Sequence, residues 1–104
     1  MINGRKVITL CGSTRLKSDF ERVNKELTLQ GNVVISVGVY VHCDSDTITD
    51  EQKGMLDKIH LGKIDLADAI FVINKDGRIG ESTSHEIDYA KSKGKEIIYM
   101  RKPN

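Results

Sequence analysis

The run Asp68-Ala69-Ile70-Phe71-Val72-Ile73-Asn74 decides how this chain reads. Five consecutive apolar residues lie between an aspartate and a turn-forming Asn74-Lys75-Asp76-Gly77. A run of that length without polar alternation suits a strand covered on both faces, as in a parallel sheet. The stretch that follows is Ile79-Gly80-Glu81-Ser82-Thr83-Ser84-His85-Glu86-Ile87-Asp88-Tyr89-Ala90. It places a glycine, three hydroxyls and several carboxylates directly after the strand. From Thr83 to Ser92 it reads as a helix, ended by Gly94.

Working outward, Arg5 to Cys11 reads as a first buried strand that stops at Gly12. A helix is expected from Leu16 to Gln30, with Leu16, Phe20, Val23 and Leu27 at helical spacing and Gly31 closing it. Asn32 to Val41 is rich in Val and Ile and reads as a second strand. A polar loop follows from His42 to Thr47. A further helix spans Asp50 to Leu66, capped by Thr49 with Gln52 or by Asp50. Its apolar face is assigned to Met55, Ile59 and Leu66, with Leu56 and Lys63 off it. Glu96 to Met100 is the last strand.

Strands alternating with helices imply right-handed crossovers and a parallel sheet. The expectation is a small doubly wound, Rossmann-like or flavodoxin-like α/β sheet of four to five strands in the order 2-1-3-4, helices on both faces, as one domain over residues 1–104. Ligands in such sheets bind beyond the carboxyl ends of the strands, at the switch point between strands 1 and 3. Three loops should meet there: Gly12 to Arg15, His42 to Thr47 and Lys75 to Ser82.

Composition narrows the function. Sixteen basic and 15 acidic residues leave a net charge of +1, no footprint for a nucleic-acid polymer or a membrane surface. Two Phe, three Tyr and no Trp are too few for a base-stacking platform. No run is long and apolar enough to span a membrane, and no leader pattern stands at the start. Cys11 and Cys43 do not make a disulfide framework. A cytoplasmic protein with reduced thiols is expected. The single proline, Pro103, is near the last residue, so nothing marks an interdomain linker.

Two constellations carry chemistry. In Cys11-Gly12-Ser13-Thr14-Arg15, Gly12 admits a close backbone approach. N–H groups at the following helix start can receive an anion, and Arg15 can fork onto a phosphate or carboxylate. Ser13 or Thr14 as a plain helix cap is the alternative. In the second, Thr83 and Glu86 match S/T-x-x-E, a capping box in which Glu86 folds back on the Thr83 N–H. The alternative is a Glu86 held ionised in the first helical turn as a nucleophile. Cys11 reads as a buried strand-end thiol. His42-Cys43-Asp44 has metal-capable residue types without ligand spacing. No metal or cofactor is expected.

Together Cys11-Gly12-Ser13-Thr14-Arg15, Ala67-Asp68, Ser82-Thr83-Ser84-His85-Glu86 and Ala90 resemble the nucleoside 2-deoxyribosyltransferase family, most closely its 2′-deoxynucleoside 5′-phosphate N-hydrolase branch. The resemblance covers nearly the whole chain in order and spacing. It implies cleavage or transfer of an N-glycosidic bond, with Glu86 attacking C1′. It implies that Gly12, Ser13, Thr14, Arg15, Gly80, Ser82 and Thr83 hold the substrate. Thr9 stands where the family carries a Tyr. His60 stands where it carries an Asp near the leaving base, and a histidine there can donate a proton. A nucleotide-binding module without catalysis is the other reading. The small core and the family pocket both call for a homo-oligomer, with the Asp50 to Leu66 helix as its first candidate surface.

Overall fold

In the computed structural model, which describes residues 1–102, the expected topology is present; Pro103 lies outside the described residues. The elements are β1 (Val7–Gly12), α1 (Lys17–Leu29), β2 (Val33–Ile35), α2 (Val41–Asp44), α3 (Asp50–Leu66), β3 (Ala69–Ile73), α4 (Glu81–Ser92) and β4 (Glu96–Tyr99). The four strands form one parallel sheet in the order β2-β1-β3-β4. The β1–β3 register runs from Ile8 opposite Ala69 to Gly12 opposite Ile73.

The period of two in β1 and β3 divides the core between the faces. Leu10 and Ile73 pack with Phe20 and Val23 of α1 on one side. Cys11, Ile70 and Val72 pack with Ile64 of α3 and with Ile87 and Ala90 of α4 on the other. Gly12 is needed where the strands finish: a Cβ there would stand 3.0 Å from the Ile73 carbonyl oxygen and 3.2 Å from the Ile73 Cβ. At the far end of β3, Asn74 is buried and clamps the chain after β4. Its side-chain nitrogen donates to the Arg101 carbonyl and its oxygen accepts the Arg101 N–H, both at 2.8 Å.

Four local expectations change. The second strand is only Val33–Ile35. The chain then leaves the sheet, and Val41 opens the short helix α2 inside what reads as strand and polar loop. Gly38, exposed in a bend, marks that departure. No hydroxyl caps α1; its N-cap is Leu16, and Ser13 Oγ accepts the Arg15 N–H within the turn at 3.3 Å. α4 begins at Glu81 with Gly80 as N-cap, two residues earlier than the pattern suggests. Finally, α3 is rotated relative to its expected face. Met55, Ile59 and Leu66 are exposed, at 52%, 45% and 72%, while Ile64 is fully buried. Leu61 and Ile64 lie on another side of the helix, and the sheet takes that side. The Thr49 capping box with Gln52 is present as read. Among the described residues no helix is long and apolar enough to cross a membrane.

Asp68, half of the Ala67-Asp68 pair, ties the strand entries together. Its Oδ2 accepts the Val7 N–H at 2.8 Å and its Oδ1 meets the Met1 amine at 2.9 Å. The backbone N–H of Val7, then the Met1 amine, hold this carboxyl below the usual range. A carboxyl depressed by folding adds stability that is complete above its unfolded value, about 3.9, and is lost as pH falls through its lower folded value. Asp68→Asn should therefore lower the urea midpoint at neutral pH and narrow its gap from the parent as pH drops below about 4, measured by urea titrations at stepped pH.

Candidate functional site

The buried sheet face meets two helices at the carboxyl end of β1, and three polar side chains converge there. Cys11 is the last side chain of β1 before Gly12 and is fully buried. His60 comes from α3, one turn before the buried Ile64. Glu86 comes from α4, between Thr83 and Ala90, which are also buried. The spacing 83-86/87-90 is the inward stripe of α4, just as His60 and Ile64 lie on the inward side of α3.

The distances are short. Cys11 Sγ lies 3.3 Å from His60 Nε2. Glu86 Oε1 lies 3.4 Å from the same nitrogen, with the two side chains 12% and 20% exposed. The 3.4 Å approach lacks the alignment of a hydrogen bond, so Glu86 Oε1 is a buried acceptor without a hydrogen-bond partner among the described residues. The exposure of Glu86 therefore falls on its other atoms. Burial, with the Glu86 carboxylate beside it, pushes the Cys11 thiol well above the ordinary thiol range.

This geometry corrects the capping-box reading. Thr83 is the third residue of α4, not its cap, and Glu86 points to His60 and Cys11 rather than back to the Thr83 N–H. Glu86 is also in the second turn, where the helix dipole is weak, since its effect fades within the first turn. What holds Glu86 in place is packing: Ile87 and Ala90 lock the helix on Ile70 and Val72.

The remaining predicted residues spread around this centre. Gly12 follows Cys11 directly. Ser13 and Arg15 are exposed on the β1–α1 turn, and Thr14 Oγ1 lies 2.6 Å from His42 Nδ1. That bond joins the first two of the three loops expected to meet. Gly80 and Ser82 are exposed at the start of α4, where no side chain caps the free N–H groups. Thr83 is buried and serves packing more than solvent. Thr9 is buried with its hydroxyl donated to the Lys63 carbonyl at 2.8 Å, so it reaches α3 rather than Glu86. Tyr40 packs edge-on against Phe20, ring centroids 5.7 Å apart, and is part of the α1 core. Asp65 accepts the Tyr89 hydroxyl at 2.8 Å, and Asp57 pairs with Lys53 on the surface at 3.5 Å.

Sequence reasoning missed Cys11 as a member of this cluster, because His60 is 49 residues away. A signal was available. Parallel pairing puts Cys11 on the same face as Ile70 and Val72, and the stripe ending in Ile64 carries His60 to that face.

No family model matches this sequence, and no curated protein matches it.

The environments of the two cysteines differ enough to test. Cys43 is exposed, while Cys11 is buried with its thiol held protonated. Under native conditions an aromatic disulfide reagent should label one thiol promptly, and Cys11 about tenfold or more slowly. In denaturant both should react together.

Proposed function

We propose that this protein cleaves or transfers the N-glycosidic bond of a small nucleoside or nucleotide, as its resemblance to the nucleoside 2-deoxyribosyltransferases implies. The observation that carries the reading is the state of Glu86. Its side chain is 20% exposed near the carboxyl end of β1, with Oε1 turned inward to His60 Nε2 and free of hydrogen bonds among the described residues, and the exposed part facing out. A nucleophilic carboxylate needs a free lone pair and a fixed direction of attack, and packing of α4 on the sheet supplies the direction.

In this reading a Glu86 oxygen attacks C1′ and the base departs with the bond electrons, leaving a glycosyl ester on Glu86. Water, or a second base, then takes the sugar from the ester. The Gly12-Ser13-Thr14-Arg15 turn and the uncapped start of α4 at Gly80 and Ser82 bind the 5′ end of the substrate through N–H groups, hydroxyls and the Arg15 guanidinium. His60 sits too near Glu86 to work across the sugar ring. In retaining glycosidases the two catalytic carboxyls stand about 5–5.5 Å apart, whereas His60 Nε2 is 3.4 Å from Glu86 Oε1. That separation favours His60 as the group that orients and polarises the nucleophile.

The binding-module reading has one observation behind it. The family Tyr position is Thr9, whose hydroxyl is committed to the Lys63 carbonyl and has nothing to offer Glu86. The two readings separate in one experiment. Ribo- and deoxyribonucleosides and their 5′-monophosphates are incubated with the protein and free base is followed by chromatography. Base release that falls about a thousandfold or more in Glu86→Gln supports the enzyme. Thermal stabilisation by a nucleotide without any product supports the binding module instead.

A second copy of the chain belongs to the same proposal. The exposed Met55 and Ile59 flank Gly54 on the outer face of α3 and line a shallow cleft with Asp50, Glu51 and Lys58. Pairing of two α3 helices there would cover both apolar side chains. Light scattering should give twice the chain mass, and Met55→Lys/Ile59→Lys should return it to one.

A further inference from the structure

We propose that Cys11, His60 and Glu86 form a Zn²⁺ site with a mixed sulfur, nitrogen and oxygen donor set. The donor atoms Sγ, Nε2 and a Glu86 carboxylate oxygen all lie within 4.8 Å of one another. Two of their separations already match the edges of a zinc tetrahedron. With Zn–S about 2.3 Å and Zn–N and Zn–O about 2.0 Å, tetrahedral angles give an S–N edge of about 3.5 Å and an N–O edge of about 3.3 Å. The corresponding separations here are 3.3 Å for Cys11 Sγ to His60 Nε2 and 3.4 Å for His60 Nε2 to Glu86 Oε1. The third separation, Cys11 Sγ to a Glu86 carboxylate oxygen, is within 4.8 Å, against an S–O edge of about 3.5 Å in a zinc tetrahedron.

Three further features fit a metal. His60 presents one nitrogen to both other donors, which is the geometry of a shared central atom. Glu86 Oε1 is buried with no hydrogen-bond partner among the described residues, so an acceptor lone pair is available at the centre. Each donor rides on a different packed element, and Ile64, Ile70, Val72 and Ile87 share one core cluster with Cys11. Such support fixes ligand positions in advance of binding. The donor set selects against Mg²⁺ and Ca²⁺, which take oxygen ligands, and suits Zn²⁺, which accepts thiolate, imidazole and carboxylate at one centre. Three protein ligands leave the fourth position to water or another small ligand.

Binding is a ligand exchange without redox chemistry. The Cys11 thiol proton goes to solvent as the S–Zn bond forms, and His60 binds as the neutral imidazole. Under the reaction proposed above, the metal would tie up the Glu86 carboxylate that attacks C1′, so metal occupancy and turnover exclude each other. The metal site itself does not rest on that reaction.

The test uses Co²⁺ as a coloured substitute for Zn²⁺, added to the full chain under reducing, oxygen-free conditions. The expected result is one Co²⁺ per chain, with a thiolate-to-cobalt charge-transfer band and tetrahedral ligand-field bands, both abolished by stoichiometric Zn²⁺. Cys43→Ser should keep the charge-transfer band, which separates the cluster from the exposed His42-Cys43-Asp44 segment. Cys11→Ser should lose it. His60→Asn and Glu86→Gln should each weaken Zn²⁺ binding by at least about 10–100-fold, the loss that even outer-shell partners of a metal cause. The His60 side chain keeps 12% exposure whereas Cys11 is fully buried, so His60→Asn is the variant to rely on if Cys11→Ser fails to fold by circular dichroism. No saturable Co²⁺ uptake by the parent chain, a band that survives Cys11→Ser, affinity unchanged in His60→Asn, or a band lost in Cys43→Ser would overturn the proposal. Every readout is spectroscopic, so absence of glycosidase activity leaves the result intact.

Discussion

The parallel pairing of β1 with β3 is the constraint on which the other features rest. Five residue pairs, from Ile8 with Ala69 to Gly12 with Ile73, put the two most buried strands side by side and end them at the same height. Because side chains alternate, this one register sends Leu10 and Ile73 to α1, and Cys11 and Val72 to α3 and α4. A slip by one residue would exchange those faces and move Cys11 away from His60 and Glu86. Asp68 guards the register at the entry by holding the Val7 N–H, and Gly12 permits it at the exit by having no side chain.

Much of this fold is written in local pattern. The apolar runs of β1 and β3 suit strands covered on both faces, and the alternation of strands with helices forces crossovers that leave few topologies. β2 was harder to delimit because Val33 to Val41 holds β-formers on both sides of Gly38. Nothing local says that pairing stops at Ile35, beyond which β1 is paired with β3 alone. The face of α3 was illegible for a related reason. Met55-Ile59-Leu66 and Leu61-Ile64 are both apolar sides of the helix, and only contact with the sheet chooses between them.

The candidate site divides the same way. Position in the topology pointed to Glu86 and to the Gly12 turn, since both follow strands at the switch point. The partners of Glu86 could not be read along the chain. His60 and Cys11 reach it through three separate elements, and their meeting is a property of packing. The S/T-x-x-E pattern at Thr83 misleads because the N-cap is Gly80, three residues before Thr83, which shifts Glu86 into the next turn. The resulting cluster has the electrostatics of an interior: an unpaired carboxylate oxygen, an imidazole and a protonated thiol in apolar surroundings, where polar groups act on each other strongly.

The buried amide of Asn74 bears on how the chain acquires this arrangement. Every strand neighbour is joined through a crossover, so sheet formation must close long loops before it gains any ladder, and such high-contact-order topologies fold slowly. Asn74 bridges the end of β3 to Arg101, beyond β4, and therefore forms only after the final strand has docked. It acts as a latch on the last step of assembly. Cys11, His60 and Glu86 come from three segments that meet only through that sheet, so a partly folded chain carries none of the chemistry of the complete one.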